Sequence, residues 1–149
     1  MGDENAGYFT GEWNRKLDEK CRLTIPPVFR ENISTFFLVQ LSGTKALLMM
    51  TRTGLDAFWE KYSGRLDLDN AQETLLRRII YGDAIQCSLD GSGRMVLPME
   101  LCQARGLKEE VILKGMRDWI EIWRPADFEA SQEKTAQSKE ELERKLRYE

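Results

Sequence analysis

A chain that writes one ten-residue pattern twice has few folds open to it. "LDEKCRLTIP", Leu17 to Pro26, aligns with "LDGSGRMVLP", Leu89 to Pro98, at an offset of 72. Leu17/Leu89, Asp18/Asp90, Arg22/Arg94 and Pro26/Pro98 coincide, while Leu23/Met95 and Ile25/Leu97 keep apolar character. The same offset pairs Val39 with Val111, Leu41 with Leu113, Gly43 with Gly115 and Arg52 with Arg124 without a gap. A duplication in register over such a span defines the structural unit. One copy holds about 45 residues of short elements, too little to bury a stable core alone. The two copies are therefore expected to fold together, with strands paired between them and a pseudo-twofold relation between the repeated turns.

Each copy has the same grammar. A strand leads in, "EWNRKL" or "AIQCSL". In the D-x-x-x-R turn that follows, the aspartate can bond the next backbone amides, and the arginine opens a short alternating strand. Proline ends that strand, because it cannot donate to a ladder, and suits the first turn of the helix predicted in "PVFRENI" or "MELCQARGL". Two apolar strands close the unit, "TFFLVQL" with "ALLMMT" and "EVILKG" with "WIEIW". Gly43 and Gly115 fall between them, as hairpin turns require.

Between the copies, Leu55, Phe58, Trp59 and Tyr62 recur at helical spacing, with Thr53 as the expected N-cap. After a break at Ser63-Gly64, Ala71, Leu75, Leu76, Ile79 and Ile80 form a second apolar face. These stripes read as packing surfaces. Beyond the second copy, "PADFEASQEKTAQ" starts another helix around Phe128. The tail "SKEELERKLRYE" offers mainly Leu142 and Leu146 as apolar contacts, which reads as a solvated or frayed helix.

Composition narrows the function. The 149 residues are 42% hydrophobic and 32% charged, the balance of a globular chain. No apolar run approaches the roughly 20 residues of a membrane span. The opening "MGDENAG" is acidic and polar, which predicts neither a signal peptide nor a basic transit segment. Together these features predict a cytoplasmic protein with no membrane partner. There is no histidine, so Ser-His and Cys-His nucleophile systems and most transition-metal sites are excluded. Cys21, Cys87 and Cys102 make an odd count without a C-x-x-C pair, against both a disulfide framework and a zinc site, and they read as reduced thiols with packing or loop roles. Phosphate-cradling glycine loops are absent. No enzyme, no cofactor and no small-molecule substrate are expected.

With the repeated turns in view, "YFTGEWNRKLDEKCRLTIPPVFRENI" and "IQCSLDGSGRMVLPMELCQARGLKEEVILKG…IEIW" resemble the two halves of MraZ, a family of bacterial transcriptional regulators linked to the division and cell wall gene cluster. The resemblance covers roughly Tyr8 to Phe128. It implies a mainly β, α+β fold: two tandem SpoVT-AbrB modules, 8–53 and 84–128, interleaved into a double-split, swapped-hairpin β-barrel. A helical spacer at 54–82 and a charged tail at 129–149 complete the chain. The resemblance further implies an octamer-like homo-oligomeric ring, association with the nucleoid, and D-x-x-x-R loops held toward repeated promoter elements in double-stranded DNA. The carry-over falls on Asp18, Lys20 and Arg22 in the first loop and on Asp90 and Arg94 in the second. Two departures stand out. Cys21 replaces the glycine usual before the first arginine, and the second loop lacks a lysine.

The charge pattern agrees in part. Residues 15–22 hold Arg15, Lys16, Lys20 and Arg22 against Asp18 and Glu19, although the chain carries a net charge of −3. Arginine can fork onto guanine or phosphate, lysine acts as a point charge, and the aspartates would shape the loops. The competing reading makes Asp18–Arg22 and Asp90–Arg94 simple turn braces, each contributing at most about 1 kcal/mol. Ring assembly would raise the affinity of a weakly basic subunit through linked contacts, so monomers should bind DNA poorly. An antitoxin-like protein-interaction module with a wrapping tail is the alternative function. A carboxylate hydrolase lacks a positioned base. Cys21, between two basic side chains, leaves a redox role open.

Overall fold

The computed structural model describes residues 6–147. The reading of the polar start rests largely on residues 1–5, which lie outside the described residues, as do 148–149 at the end of the tail. Among the described residues there are eight strands, five α-helices and a π-helical turn, an α+β fold dominated by antiparallel pairing.

The first copy contributes β1 (Glu12–Lys16), β2 (Arg22–Thr24), α1 (Pro27–Arg30), β3 (Thr35–Gln40) and β4 (Leu47–Met50). The second contributes β5 (Ile85–Ser88), β6 (Arg94–Val96), α4 (Met99–Arg105), β7 (Glu110–Gly115) and β8 (Ile120–Trp123). Between and after them come α2 (Arg52–Arg65), α3 (Asn70–Arg77) and α5 (Pro125–Lys145).

Strands from the two copies interleave, as the size of a single copy demands. A six-stranded sheet runs β1-β7-β8-β4-β3-β5, and β2 pairs with β6 in a separate two-stranded ribbon. Each copy's lead-in strand thus joins the other copy's hairpin: Trp13 stands opposite Leu113, and Phe36 opposite Cys87. The hairpins meet where Leu48 faces Glu121.

Period-two alternation gives the large sheet two buried faces. Phe36, Leu38, Leu47, Met49, Val111, Leu113, Ile120 and Ile122 point into one core with Leu23 and Met95 of the ribbon. Val39, Leu48, Met50 and Trp123 point into another, covered by Leu55, Phe58, Ile80 and Phe128. All four residues of β4 are buried for this reason.

Several boundaries differ from expectation. Pro26 and Pro98 stand at the N-caps of α1 and α4, one place before the first turn, and Pro27 takes the first position of α1. Thr51, not Thr53, caps α2: its Oγ1 accepts from the Gly54 amide at 3.0 Å, whereas Thr53 is already inside the first turn. That helix continues through Ser63 and Gly64, and stops at Leu66. Asp69 then starts α3 with a reciprocal capping box: the Gln72 amide donates to Asp69 Oδ1 at 2.8 Å, and the Asp69 amide donates to Gln72 Oε1 at 3.1 Å. A π-helical turn, Arg78–Gly82, follows α3 directly. Of the expected stripe Ile80 is buried and Leu76 and Ile79 are partly buried, whereas Leu75 is 54% exposed.

Gly115 does not sit in the hairpin turn. It ends β7, and the turn passes through Arg117 and Asp118, with Arg117 in the left-handed region at φ 68°. Phe9 fixes that arginine by exchanging backbone bonds with it at 2.9 and 2.7 Å. The chain leading away from Phe9 then crosses Gly115, where a Cβ would collide with the backbone of Phe9 and Thr10.

Candidate nucleic-acid interface

Both D-x-x-x-R stretches fold into the same turn. In the first, the Cys21 amide donates to Asp18 O at 3.0 Å, and the Asp18 amide to Arg22 O at 3.2 Å. In the second, Gly93 and Asp90 repeat these bonds at 3.0 and 2.8 Å. The residue before each arginine takes a left-handed conformation, Cys21 at φ 59° and Gly93 at φ 76°. This is the three-residue hairpin loop that ends in a left-handed bulge.

The aspartate organises each turn. Asp18 Oδ1 accepts from the Lys20 and Arg22 amides, both at 2.9 Å, and Oδ2 from Arg22 Nε at 2.5 Å. Asp90 Oδ1 accepts from Ser92 and Arg94 at 2.8 and 3.0 Å, and Oδ2 from Arg94 Nε at 3.0 Å. The brace that the spacing predicts is therefore present twice. It uses only Nε: among the described residues the terminal nitrogens of both guanidinium groups have no protein partner, and both side chains are about one-third exposed. Such arginines are oriented without being consumed.

The ribbon brings the two turns together. Arg22 stands opposite Val96, Leu23 opposite Met95, and Thr24 opposite Arg94. Leu23 and Met95 are fully buried, so Arg22, Thr24, Arg94 and Val96 share the outward face. Diagonal neighbours on such a face are roughly 7–8 Å apart. The loops also lock each other: the Ile25 amide donates to Gly93 O at 3.0 Å, and the Leu97 amide to Cys21 O at 2.9 Å.

Backbone amides set the electrostatics. The Arg22 amide, foremost, holds the Asp18 carboxyl below the usual carboxylate range, and the Arg94 amide does the same for Asp90; burial opposes both effects. The folded pKa values lie below the unfolded value of about 3.9, so this contribution is complete above that pH and is lost as pH falls through the folded values. We expect the amide NMR signals of Lys20, Arg22, Ser92 and Arg94 to stay fixed from pH 7 to about 4 and to shift only below it. A midpoint above the ordinary aspartate value would show that these carboxylates do not hold the turns.

The sequence can now be set beside known proteins. The family model described as "MraZ protein, putative antitoxin-like" matches residues 80–147. A protein named "Transcriptional regulator MraZ" from Pediococcus pentosaceus is 30% identical over 138 residues, covering 93% of this chain and 96% of the relative. The chain belongs to the MraZ family. Relatives of the same printed name occur in Leuconostoc mesenteroides, 31% identical over 86% of this chain and 89% of the relative, and in an Acidovorax species, 32% identical over 83% and 87%.

For this MraZ-family chain the expected site residues divide into two groups. Asp18, Lys20, Arg22, Asp90 and Arg94 belong to the paired turns. Arg15 and Lys16 belong to β1, in the large sheet. Arg15 donates to Asn14 O at 2.9 Å and lies 5.5 Å from the centre of the Trp13 ring, while Lys16 is exposed opposite Glu110. Among the described residues no group of three or more His, Cys, Asp or Glu could hold a metal, and no helix is long and apolar enough to cross a membrane.

Two features escaped the sequence reading. Thr24 and Val96 share the arginine face, which strand alternation does signal. Arg30 donates to Ile25 O at 2.9 Å and covers the Gly93 backbone so closely that a Cβ there would strike its guanidinium. No local pattern marks that contact. Cys21 takes the packing role read for the thiols and not the redox one: it turns into the core, its Sγ 3.5 Å from Met99 Sδ.

The other thiols are equally withdrawn. Burial pushes the Cys87 thiol up, and burial followed by a hydrogen bond with Cys21 pushes Cys102 up to about 12. Iodoacetamide at pH 8 should therefore leave Cys87 and Cys102 unmodified in the native protein and label both in urea. Rapid native labelling of either would mean that its part of the core opens.

Proposed function

We propose that this chain is a sequence-specific DNA-binding transcriptional regulator, not an enzyme, reading repeated promoter elements with its paired D-x-x-x-R loops. The carrying observation is the ribbon face, where Arg22 and Arg94 share one surface, each pinned at Nε and unpaired beyond it. Pinning reduces the side-chain freedom lost on binding. The free terminal nitrogens can then fork onto a base edge or a phosphate. Lys20, Arg15 and Lys16 add positive charge around the first loop, and Asp18 and Asp90 shape both. The name "Transcriptional regulator MraZ" carried by the relatives supports the same reading.

The finer reading has the modules at 8–53 and 84–128 wrap the shared core as a swapped-hairpin barrel, with 54–82 as spacer and 129–149 as tail. The interleaved pairing of β1 with β7 and β3 with β5 supports that arrangement. Subunits assemble into an octamer-like ring, so that many weak contacts act together. The protein works in the cytoplasm on the nucleoid and represses the division and cell wall gene cluster.

A labelled duplex from upstream of the protein's own gene tests the proposal directly. Binding should be sequence-dependent and weaken steeply as salt rises. Absence of salt-sensitive, sequence-dependent binding by the assembled protein would sink it. A second reading, an antitoxin-like interaction module, draws on the family description and on the end of the chain, where Leu142 of α5 and Leu146 just beyond it are 60% and 67% exposed. Truncation after residue 129 separates the two. DNA binding per assembled subunit should survive it if the loops do the reading.

A further inference from the structure

The duplication places a cavity at related positions in the two copies, and the two cavities differ in charge. The first, of about 520 Å³, lies between the β3–β4 turn, the end of α4 and the start of α5. Its lining includes Lys45, Arg105, Arg124 and Asp127. A neighbouring hollow shares Lys45 and Asp127 and adds Lys134. The related cavity of the other copy, about 390 Å³, is lined in part by Ala6 and Gly7, and its charged residues are Arg52 and Asp118. Three cations stand against one carboxylate in the first cavity, with Lys134 a fourth in the hollow beside it, and one against one in the second.

The positive charge of the first cavity is not neutralised within the protein. Asp127, with its side chain 10% exposed, is already taken: Arg124 Nη2 reaches it at 2.9 Å and Lys45 Nζ at 3.6 Å. Arg105 is half-buried and has no ion pair among the described residues. Its Nη1 donates to Thr44 O and Ala46 O at 2.8 and 3.3 Å, and its Nη2 to Leu41 O at 3.5 Å. These carbonyls solvate the cation without cancelling its charge, and burial lowers its pKa accordingly. An anion in the cavity would supply the missing counter-charge.

We propose that this cavity binds a small anion bearing two or more phosphate groups, with Lys45, Arg105 and Arg124 as its counter-charges and Lys134 meeting a further phosphate from the adjoining hollow. Guanidinium groups favour phosphate through paired donors, and ammonium groups on long stems adapt to a second phosphate. The volume falls within the roughly 300–1,000 Å³ of small-molecule sites, and Leu41 and Ala104 leave an apolar wall for an organic group. None of its lining residues belongs to the arginine face, and the inference does not depend on DNA binding.

Calorimetric titration of the full chain, with sodium pyrophosphate and then inorganic phosphate at constant ionic strength, tests this inference. Arg105 stays in place, since removing it takes a donor from three turn carbonyls. Lys45 and Lys134 are exposed, so the Lys45→Gln/Lys134→Gln protein should fold normally. The wild type should bind pyrophosphate at least about tenfold more tightly than inorganic phosphate, in keeping with its extra charge. The double variant should lose about tenfold or more, and Arg52→Gln in the related cavity should change nothing. Absence of saturable binding in the wild type overturns the proposal, as does equal binding by the double variant or an equal loss in Arg52→Gln. If the double variant alters only the salt dependence of DNA binding, the cations belong to the nucleic-acid contact and the small-anion site is rejected.

Discussion

Arg22→Ala is expected to weaken specific duplex binding by at least about tenfold per engaged site, because a good bidentate contact to a base contributes about 1–3 kcal/mol of discrimination. In an assembly the losses compound, and specific binding should disappear at physiological salt. Each phosphate contact removed should also shrink the log–log salt slope by about 0.9. Arg94→Ala should act in the same direction but less strongly, since its loop carries Ser92 where the first carries Lys20. Arg22→Lys divides base reading from simple attraction. A lysine there keeps the charge but cannot fork, so the salt slope should persist while preference for the operator falls. Each variant is first checked for thermal stability and assembled mass. Arginine variants that are folded, assembled and bind like wild type would reduce both ion pairs to braces.

Gly115→Ala should destabilise the protein by about 3 kcal/mol, the upper end of the cost of overpacking. The new Cβ would enter the backbone of Phe9 and Thr10, and those atoms belong to the main chain and cannot rotate aside. Retreat of that segment would also cost the Gly115–Gly11 bond at 2.8 Å and the two bonds between Phe9 and Arg117. Gly43, its partner in the duplication, gives the control. A Cβ there meets nothing within 4 Å and its φ lies outside the left-handed region, so Gly43→Ala should be neutral or mildly stabilising, by up to about 1 kcal/mol. Urea denaturation of both variants measures the contrast. Equal midpoints would mean that the chain around Thr10 packs less tightly than its geometry requires.

These two glycines show where sequence reasoning stops. They match each other across the duplication and read equally as turn residues. Only the passage of residues 9–10 over β7 makes one of them irreplaceable, and that crossing joins positions about a hundred apart. Arg30 over Gly93 and Arg105 among the turn carbonyls are further cases, since neither has a local pattern. The cap of α2 failed for a subtler reason: both Thr51 and Thr53 can cap, and packing decided which residue stands outside the helix.

By itself the sequence determined the elements, the two Asp-braced turns and the need for the copies to fold as one. Those properties rest on contacts within four or five residues, on alternation along each strand, and on a burial requirement that one copy cannot meet. Tertiary structure decided which residues meet. The β2–β6 register sets Arg22 and Arg94 on one outward face, the core draws Cys21 inward, and the ends of the second copy's helix and last strand gather the cations around Asp127. Such juxtapositions depend on side chains some 70 residues apart settling into one close-packed arrangement, in which a shift of a single residue would turn each strand face over.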